Sequence, residues 1–268
     1  MRDELVDAAG TLHAPARDPR IVSLVPSITE LLCDLGLGGA LAGRTGFCVH
    51  PRDTVRAIPK VGGTKDVDID RVRALAPTHV ILNIDENRKE DAQALAEFVP
   101  TLVVTHPLAP RDNLALYRLI GGIFRREREA GDLCERFEAE YEALDAGARA
   151  LSPEPVLYLI WKKPWMTVSR DTYVSRMLAL VKWETVPVDS SERYPKISLD
   201  DPAFGETRTV LLSSEPYRFG ESHIAEVRAC FPRARKVALI DGEMTAWYGS
   251  RAIRALGYLL QLRKAFVI

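Results

Sequence analysis

Six residues, Trp161-Lys162-Lys163-Pro164-Trp165-Met166, set two indoles beside two ammonium groups and a thioether. Indole faces cover flat apolar surface, and lysines meet carboxylates or phosphates. This mixture suits a large, decorated, mostly apolar ligand, with Trp161, Lys163, Trp165 and Met166 as its contacts. The alternative places one Trp in the core and leaves the lysines in solvent. A second dense stretch runs from Asp241 to Arg251, where Asp241, Trp247, Tyr248 and Arg251 put aromatics beside charge. Ser250 there could cap a helix whose amide donors hold an anion. Glu215 with Tyr217, Arg193 with Tyr194, and Asn83 with Asp85 extend the candidate binding set. Cys48 and His50 share one loop, and thiolate and imidazole suit zinc, haem iron or corrinoid cobalt. Two ligands are too few for a closed zinc site, which takes four. His13 and His223 stand in no motif.

Catalysis finds little support. The chain has no GxSxG, HExxH, Walker loop or GxGxxG, and Gly62-Gly63-Thr64-Lys65 lacks the P-loop spacing. Asp68 and Asp70 fall at a helix start, where capping and the helix dipole account for acids. An enzyme would have to converge Cys48, His50, Glu215 and Asp241 from separate loops. The expectation is a binding protein with no required cofactor. The 36 Lys+Arg and 37 Asp+Glu leave a formal charge of -1, so no bulk field draws the chain to nucleic acid or to an anionic membrane. A protein-interaction role, with Trp161 and Trp165 as exposed anchors, is the competing non-catalytic reading. The first ten residues carry early acids and no apolar run, and the four cysteines form no CxxC. A cytoplasmic, monomeric protein is expected, or a periplasmic or extracellular one if a signal peptide is missing from the chain.

The elements that must position these residues alternate. Arg20–Val25 reads as a strand stopped by Pro26, with Ser27 and Glu30 as a capping box for the helix that follows. A strand near 43–45 and a loop over 47–51 come next. Asp68 starts a helix over 69–76, 79–83 is a strand, and helix 87–97, strand 101–105 and helix 110–120 keep the rhythm. The second half repeats it with strands at 156–161, 210–213 and 236–240 and helices at 171–181, 220–230 and 248–265. Strands spaced by helices predict parallel sheets. Between the halves, 122–150 reads as one long charged helix. The predicted organisation is a lead-in over 1–19, an α/β lobe over 20–121, the linking helix, and an α/β lobe over 151–268, with a ligand cleft between two Rossmann-like lobes. From Leu199 to Val210 the chain is too broken for a full crossover helix.

Several segments resemble one family. Arg20-Ile21-Val22-Ser23-Leu24-Val25-Pro26-Ser27-Ile28-Thr29-Glu30 is similar to the opening of the helical-backbone metal receptor superfamily, the class III substrate-binding proteins of ABC importers. Asp68 through Ile81, Gly43 through Pro51, Trp165 through Ser169 and Tyr194-Pro195-Lys196-Ile197-Ser198 resemble further segments of the same family, nearest to its vitamin B12 binders. The likeness covers about residues 19–262 and implies a corrinoid or other tetrapyrrole-type metal chelate as ligand. It implies a ligand-facing aromatic at Phe47 and docking of an ABC permease through one acid on each lobe, at the positions of Asp70 and Asp200. The resemblance to the B12 binders implies glutamate at those two positions, where this chain has the shorter aspartate. On the same fold, a cytoplasmic ligand sensor remains an alternative.

Overall fold

The computed structural model describes residues 4–188 and 190–266; the ends of the lead-in (1–3) and of the second half (267–268), and Asp189, lie outside the described residues. The chain forms two compact units. The first takes the chain up to Pro107, Arg111–Phe137 and Tyr248–Arg251; the second takes Leu108–Pro110, Glu138–Trp247 and the chain from Ala252 on.

In chain order the elements are β1 (Ile21–Ser23), α1 (Pro26–Asp34), β2 (Leu41–Arg44), α2 (Arg52–Val55), α3 (Ile69–Ala74), β3 (His79–Asn83), α4 (Lys89–Ala96), β4 (Thr101–Thr105), α5 (Asp112–Ile123) and α6 (Glu127–Ala148). β5 (Glu154–Leu159), α7 (Tyr173–Ala179), β6 (Trp183–Thr185), β7 (Thr209–Ser213), α8 (Glu221–Cys230), β8 (Lys236–Ile240), α9 (Gly242–Ala246) and α10 (Arg251–Ala265) follow.

In the first unit β2-β1-β3-β4 form a parallel four-stranded sheet. Every residue of the inner strand β3 is buried, as a sheet covered on both faces requires, and such strands read as continuous apolar runs. Val22, Leu24, Val61, Val72, Val80, Leu82, Leu95 and Val99 make one core around it. Asp68 caps α3 as expected, accepting the Arg71 amide at 3.0 Å. The capping box at α1 does not form. Val25 is the cap residue, Pro26 fills the first turn, and Ser27 lies buried inside the helix. Glu30 is engaged elsewhere. The lead-in is not loose: Ala8 donates to the Val104 carbonyl, and the Val104 amide donates to the Asp7 carboxylate, both at 2.9 Å. These bonds satisfy backbone groups on the free edge of β4, which would otherwise invite other strands.

The long charged helix begins at Glu127 rather than Gly122. α5 ends first, and Arg125 turns left-handed at φ 55°. The Arg126 amide then donates back to the Gly121 carbonyl at 2.7 Å, the six-to-one bond of a Schellman ending. Gly121 must be glycine because a Cβ there would stand 2.5 Å from that of Ala130 in α6. From this break α6 runs without interruption from the first unit into the second.

In the second unit the order is β6-β5-β7-β8, again all parallel. β6, a three-residue edge strand, was not foreseen. The crossover from β6 to β7 uses a single 3-10 turn at Pro202–Phe204, which answers the shortage of chain before Val210. Leu157, Leu159, Phe204, Val210, Leu212, Phe231 and their neighbours form its core. Below the sheet, Glu154 accepts from the Trp183 indole at 3.1 Å and pairs with Arg263 at 3.0 Å, which ties α10 to the strands.

Candidate functional site

In parallel sheets of this order, ligands gather beyond the carboxyl ends of the strands, at the point where the chain switches direction across the sheet. That point lies between β1 and β3 in the first unit and between β5 and β7 in the second. The loops there carry most of the residues singled out from the sequence.

In the first unit these loops divide into bonded and open residues. Asn83 is buried and holds its own loop, its side-chain oxygen accepting from the Asp85 and Glu86 amides at 2.8 and 3.3 Å. It thereby scaffolds the loop that carries Asp85. Asp85 faces His106 at 3.4 Å, and its carbonyl accepts from Lys65 at 2.8 Å. Arg251 and Glu30 form a buried, two-pronged pair at 2.7 and 3.0 Å. The Tyr248 hydroxyl donates to Glu86 at 2.6 Å. Burial and the adjacent Glu86 charge push the Tyr248 phenol well above its ordinary pKa, so it stays a donor. Through these bonds Tyr248 and Arg251, both candidate ligand contacts in the sequence, lock a short stretch of the second half of the sequence into the first unit. Gly249, at φ 82°, occupies a conformation that L side chains avoid, and a Cβ would meet the Ser27 carbonyl at 3.2 Å.

Phe47 is 62% exposed, with Val49 and Ile84 also open. Cys48, between them in sequence, points the other way. It is buried, with Thr29 and Thr45 hydroxyls 3.0 and 3.1 Å from its sulfur. Burial raises its thiol pKa, which keeps it a neutral hydrogen-bonding group among these hydroxyls. Cys48 therefore leaves the ligand-facing set, and the Cys48–His50 metal pair loses its sulfur. Among the described residues no cluster of three His, Cys, Asp or Glu side chains could hold a metal ion.

The second unit differs. Trp161 is 39% exposed and meets Tyr217 edge to face, ring centres 5.6 Å apart. One residue comes from the loop after β5 and the other from the loop after β7. The Tyr217 amide donates to the Ile160 carbonyl at 3.3 Å, joining the two loops. Trp165 stacks on Phe219 within 6° and packs on the core. It lies half-buried, one face given to Phe219 and the core behind it. Met166 lies in backbone bridges to Trp161 and Lys196, and Lys163 is exposed. Lys162 pairs with Glu226 at 2.5 Å. Arg193 donates to the Asp171 carbonyl at 3.0 Å, and Tyr194 is exposed beside it.

Asp241 caps α9 by accepting from the Glu243 and Met244 amides at 2.9 and 3.3 Å. Glu215 accepts from the buried Trp247 indole at 2.8 Å. These two acids and Trp247 hold loops rather than present free groups. With Cys48 buried, the four residues of the enzyme alternative do not make a catalytic set. Tyr158, missed in the sequence, is buried beneath these loops with its hydroxyl 2.8 Å from Ser213 and 2.5 Å from Thr245. Burial pushes its pKa up to about 12. His223, set aside in the sequence for want of a motif, lies against Tyr217 and Phe219.

The profile of the periplasmic binding protein family matches residues 21–214. The chain belongs to this family. Its fold is that of non-catalytic ligand-binding proteins. The vitamin B12-binding protein of Yersinia pestis (strain Pestoides F) is 24% identical over 210 residues, 76% of this chain and 72% of the relative. The uncharacterized ABC transporter substrate-binding lipoprotein YvrC of Bacillus subtilis is 23% identical over 64% of this chain, and the match spans only 56% of YvrC. Among solved structures, the periplasmic vitamin B12 binding protein BtuF of Vibrio cholerae aligns with TM-score 0.81 at 17% identity, covering 92% of this chain and 97% of that one. The periplasmic heme binding protein HutB of Vibrio cholerae aligns with TM-score 0.76 at 21% identity, covering 92% and 99%. The family resemblance read from the sequence holds at the level of the class, and that class includes B12 and haem binders alike. Location outside the cytoplasm is typical of such proteins, and the cytoplasmic expectation finds no support among them.

Proposed function

We propose that this chain is the ligand-binding component of an ABC importer, acting outside the cytoplasm, and that its ligand is a tetrapyrrole-type metal chelate, a corrinoid or a haem. The observation that carries this reading is the division of labour at the strand ends. The charged groups there are largely engaged in internal bonds, while Phe47, Trp161 and Tyr194 remain 62%, 39% and 40% exposed. Rings left open in this way favour a flat, largely apolar ligand over a small ion or a sugar. The relatives named for B12 and for haem support the class and leave both ligands as candidates. His50 is the remaining residue of the first loop with a nitrogen suited to iron or cobalt. Asp70, in the first turn of α3, and Asp200 are both exposed, as docking acids for a permease must be, and the protein would work as a monomer.

Titration of the purified protein with haemin, cyanocobalamin and cobinamide, followed by absorbance and Trp fluorescence, tests the reading. At least one should bind with Kd below ~100 μM, about 5.5 kcal/mol. Failure of all three rejects the ligand class.

A further inference from the structure

We infer that Tyr217 and His223 form a relay that aims one phenolic proton out of the second unit, as a donor for a carbonyl or carboxylate oxygen on the ligand's rim. The inference rests on the function proposed above and adds a role to two residues of the same site.

His223 is the third residue of α8, and its Nδ1 accepts the backbone N–H of Gly220 at 3.0 Å. A nitrogen that accepts carries no proton, so the neutral ring must hold its proton on Nε2. Nε2 lies 3.2 Å from the Tyr217 hydroxyl. Its N–H therefore donates to the phenolic oxygen, and the phenolic proton is left to point elsewhere. Three rings hold the phenol in place: Tyr217 packs against Trp161 at 5.6 Å, Phe219 at 4.7 Å and His223 at 5.6 Å, measured between ring centres.

Trp161 and Tyr217 thus form one half-exposed surface with an apolar face and a single oriented donor. Haem presents propionate oxygens at its rim and corrinoids present amide carbonyls. Both are acceptors, and either satisfies the hydroxyl. Fixing the donor in advance spares the ordering cost that a free hydroxyl would incur on binding. Lys162 and Glu226 flank the relay and satisfy one another at 2.5 Å, which leaves His223 free of a direct carboxylate bond.

A double-variant cycle on the full chain tests the relay, with haemin and cobinamide as separate probes. Y217F and H223A should each weaken the probe that binds by about fivefold, the size of one net hydrogen bond. Y217F/H223A should be no weaker than Y217F alone, because His223 acts only through the hydroxyl. H223Q, whose amide N–H can still donate to Tyr217, should recover most of the loss. Independently of any ligand, ¹⁵N NMR of the His223 ring should show the proton on Nε2. Losses that multiply in the double variant, an unaffected Y217F, or a proton on Nδ1 would overturn the relay while leaving the proposed function standing. Wild-type protein that binds neither probe overturns both.

Discussion

Around the first sheet, Glu30, Glu86 and Asn83 are engaged by Arg251, Tyr248 and nearby backbone amides. Beyond the second sheet, Trp161 and Tyr217 lie ring against ring with the indole partly in solvent. Strand order and sense are the same in both units, so topology does not set this difference. Side-chain type does. A buried charge must be partnered or it destabilises the fold, and the first unit's acids and arginine are consumed in meeting that demand. An indole carries no such obligation and can stay at a surface until a ligand covers it.

The largest expected effect lies in the first unit. R251M should cost about 3–5 kcal/mol, because Glu30 would remain buried without its cation, and urea unfolding would record it. The E30Q/R251M pair should regain much of the loss, since replacing both partners removes the uncompensated charge. A stable R251M protein with weakened haemin binding would move Arg251 to the ligand and erase the contrast between the units.

The second effect lies in the second unit and on a different readout. W161A should bind its ligand about tenfold more weakly, from roughly 100 Å² of apolar contact at ~25 cal/mol per Å² less reorganisation. Its melting temperature should stay within about 2 °C of wild type. W165A should behave in the opposite sense and lose about 3 kcal/mol of stability, because its ring stacks on Phe219 against the core. Interchanged results for the two tryptophans would reverse their assigned roles.

The smallest effect depends on pH and belongs to the first unit. His79 is buried against Phe124, and burial, helped by His13, lowers its pKa. The unfolded chain then binds a proton that the folded chain refuses, so stability is full above about pH 6.5 and falls as the pH drops below it. At Asp7, burial pushes the pKa up. Hydrogen bonds from Val104, His13, Thr11 and Ala9 outweigh it, and the net shift is downward. That contribution persists above the ordinary carboxylate range, near pH 4, and is lost as the pH falls through the lower folded value. Urea midpoints measured from pH 7.5 downward should decline in two stages, and D7N should remove the second. A flat profile between about pH 7 and 5 would mean that His79 is protonated within the fold.

Much of the scaffold was legible because parallel, doubly covered strands leave unbroken apolar runs. β4 and β8 stand where the sequence placed them, at Thr101–Thr105 and Lys236–Ile240. What escaped has specific causes. β6 is three residues on an edge, too short for a pattern. The start of α6 was misplaced because an arginine occupies the left-handed position at which glycine usually announces a helix end. Ser27 and Glu30 had capping-box spacing, but Glu30 answers to Arg251, 221 positions away, and no local rule sees such a partner. At the site, residue type identified the loops but not the direction of each side chain. Cys48 turned inward, and His223 stands in no motif because its role depends on the Gly220 amide and the Tyr217 phenol, which the turn into α8 brings beside it.

The stretch Tyr248–Arg251 bears on how this protein can be handled as genetic material. It belongs to the first unit although it is translated after nearly all of the second. A gene cut in the middle of α6 would yield a front fragment whose Glu30, Glu86, Asn113 and Tyr117 lack the groups they bond in the intact chain. The two halves are therefore not interchangeable modules, and swapping ligand-binding loops between relatives has to carry this tether along with the front half. On the ribosome, the first unit cannot be completed until the last helix begins to emerge.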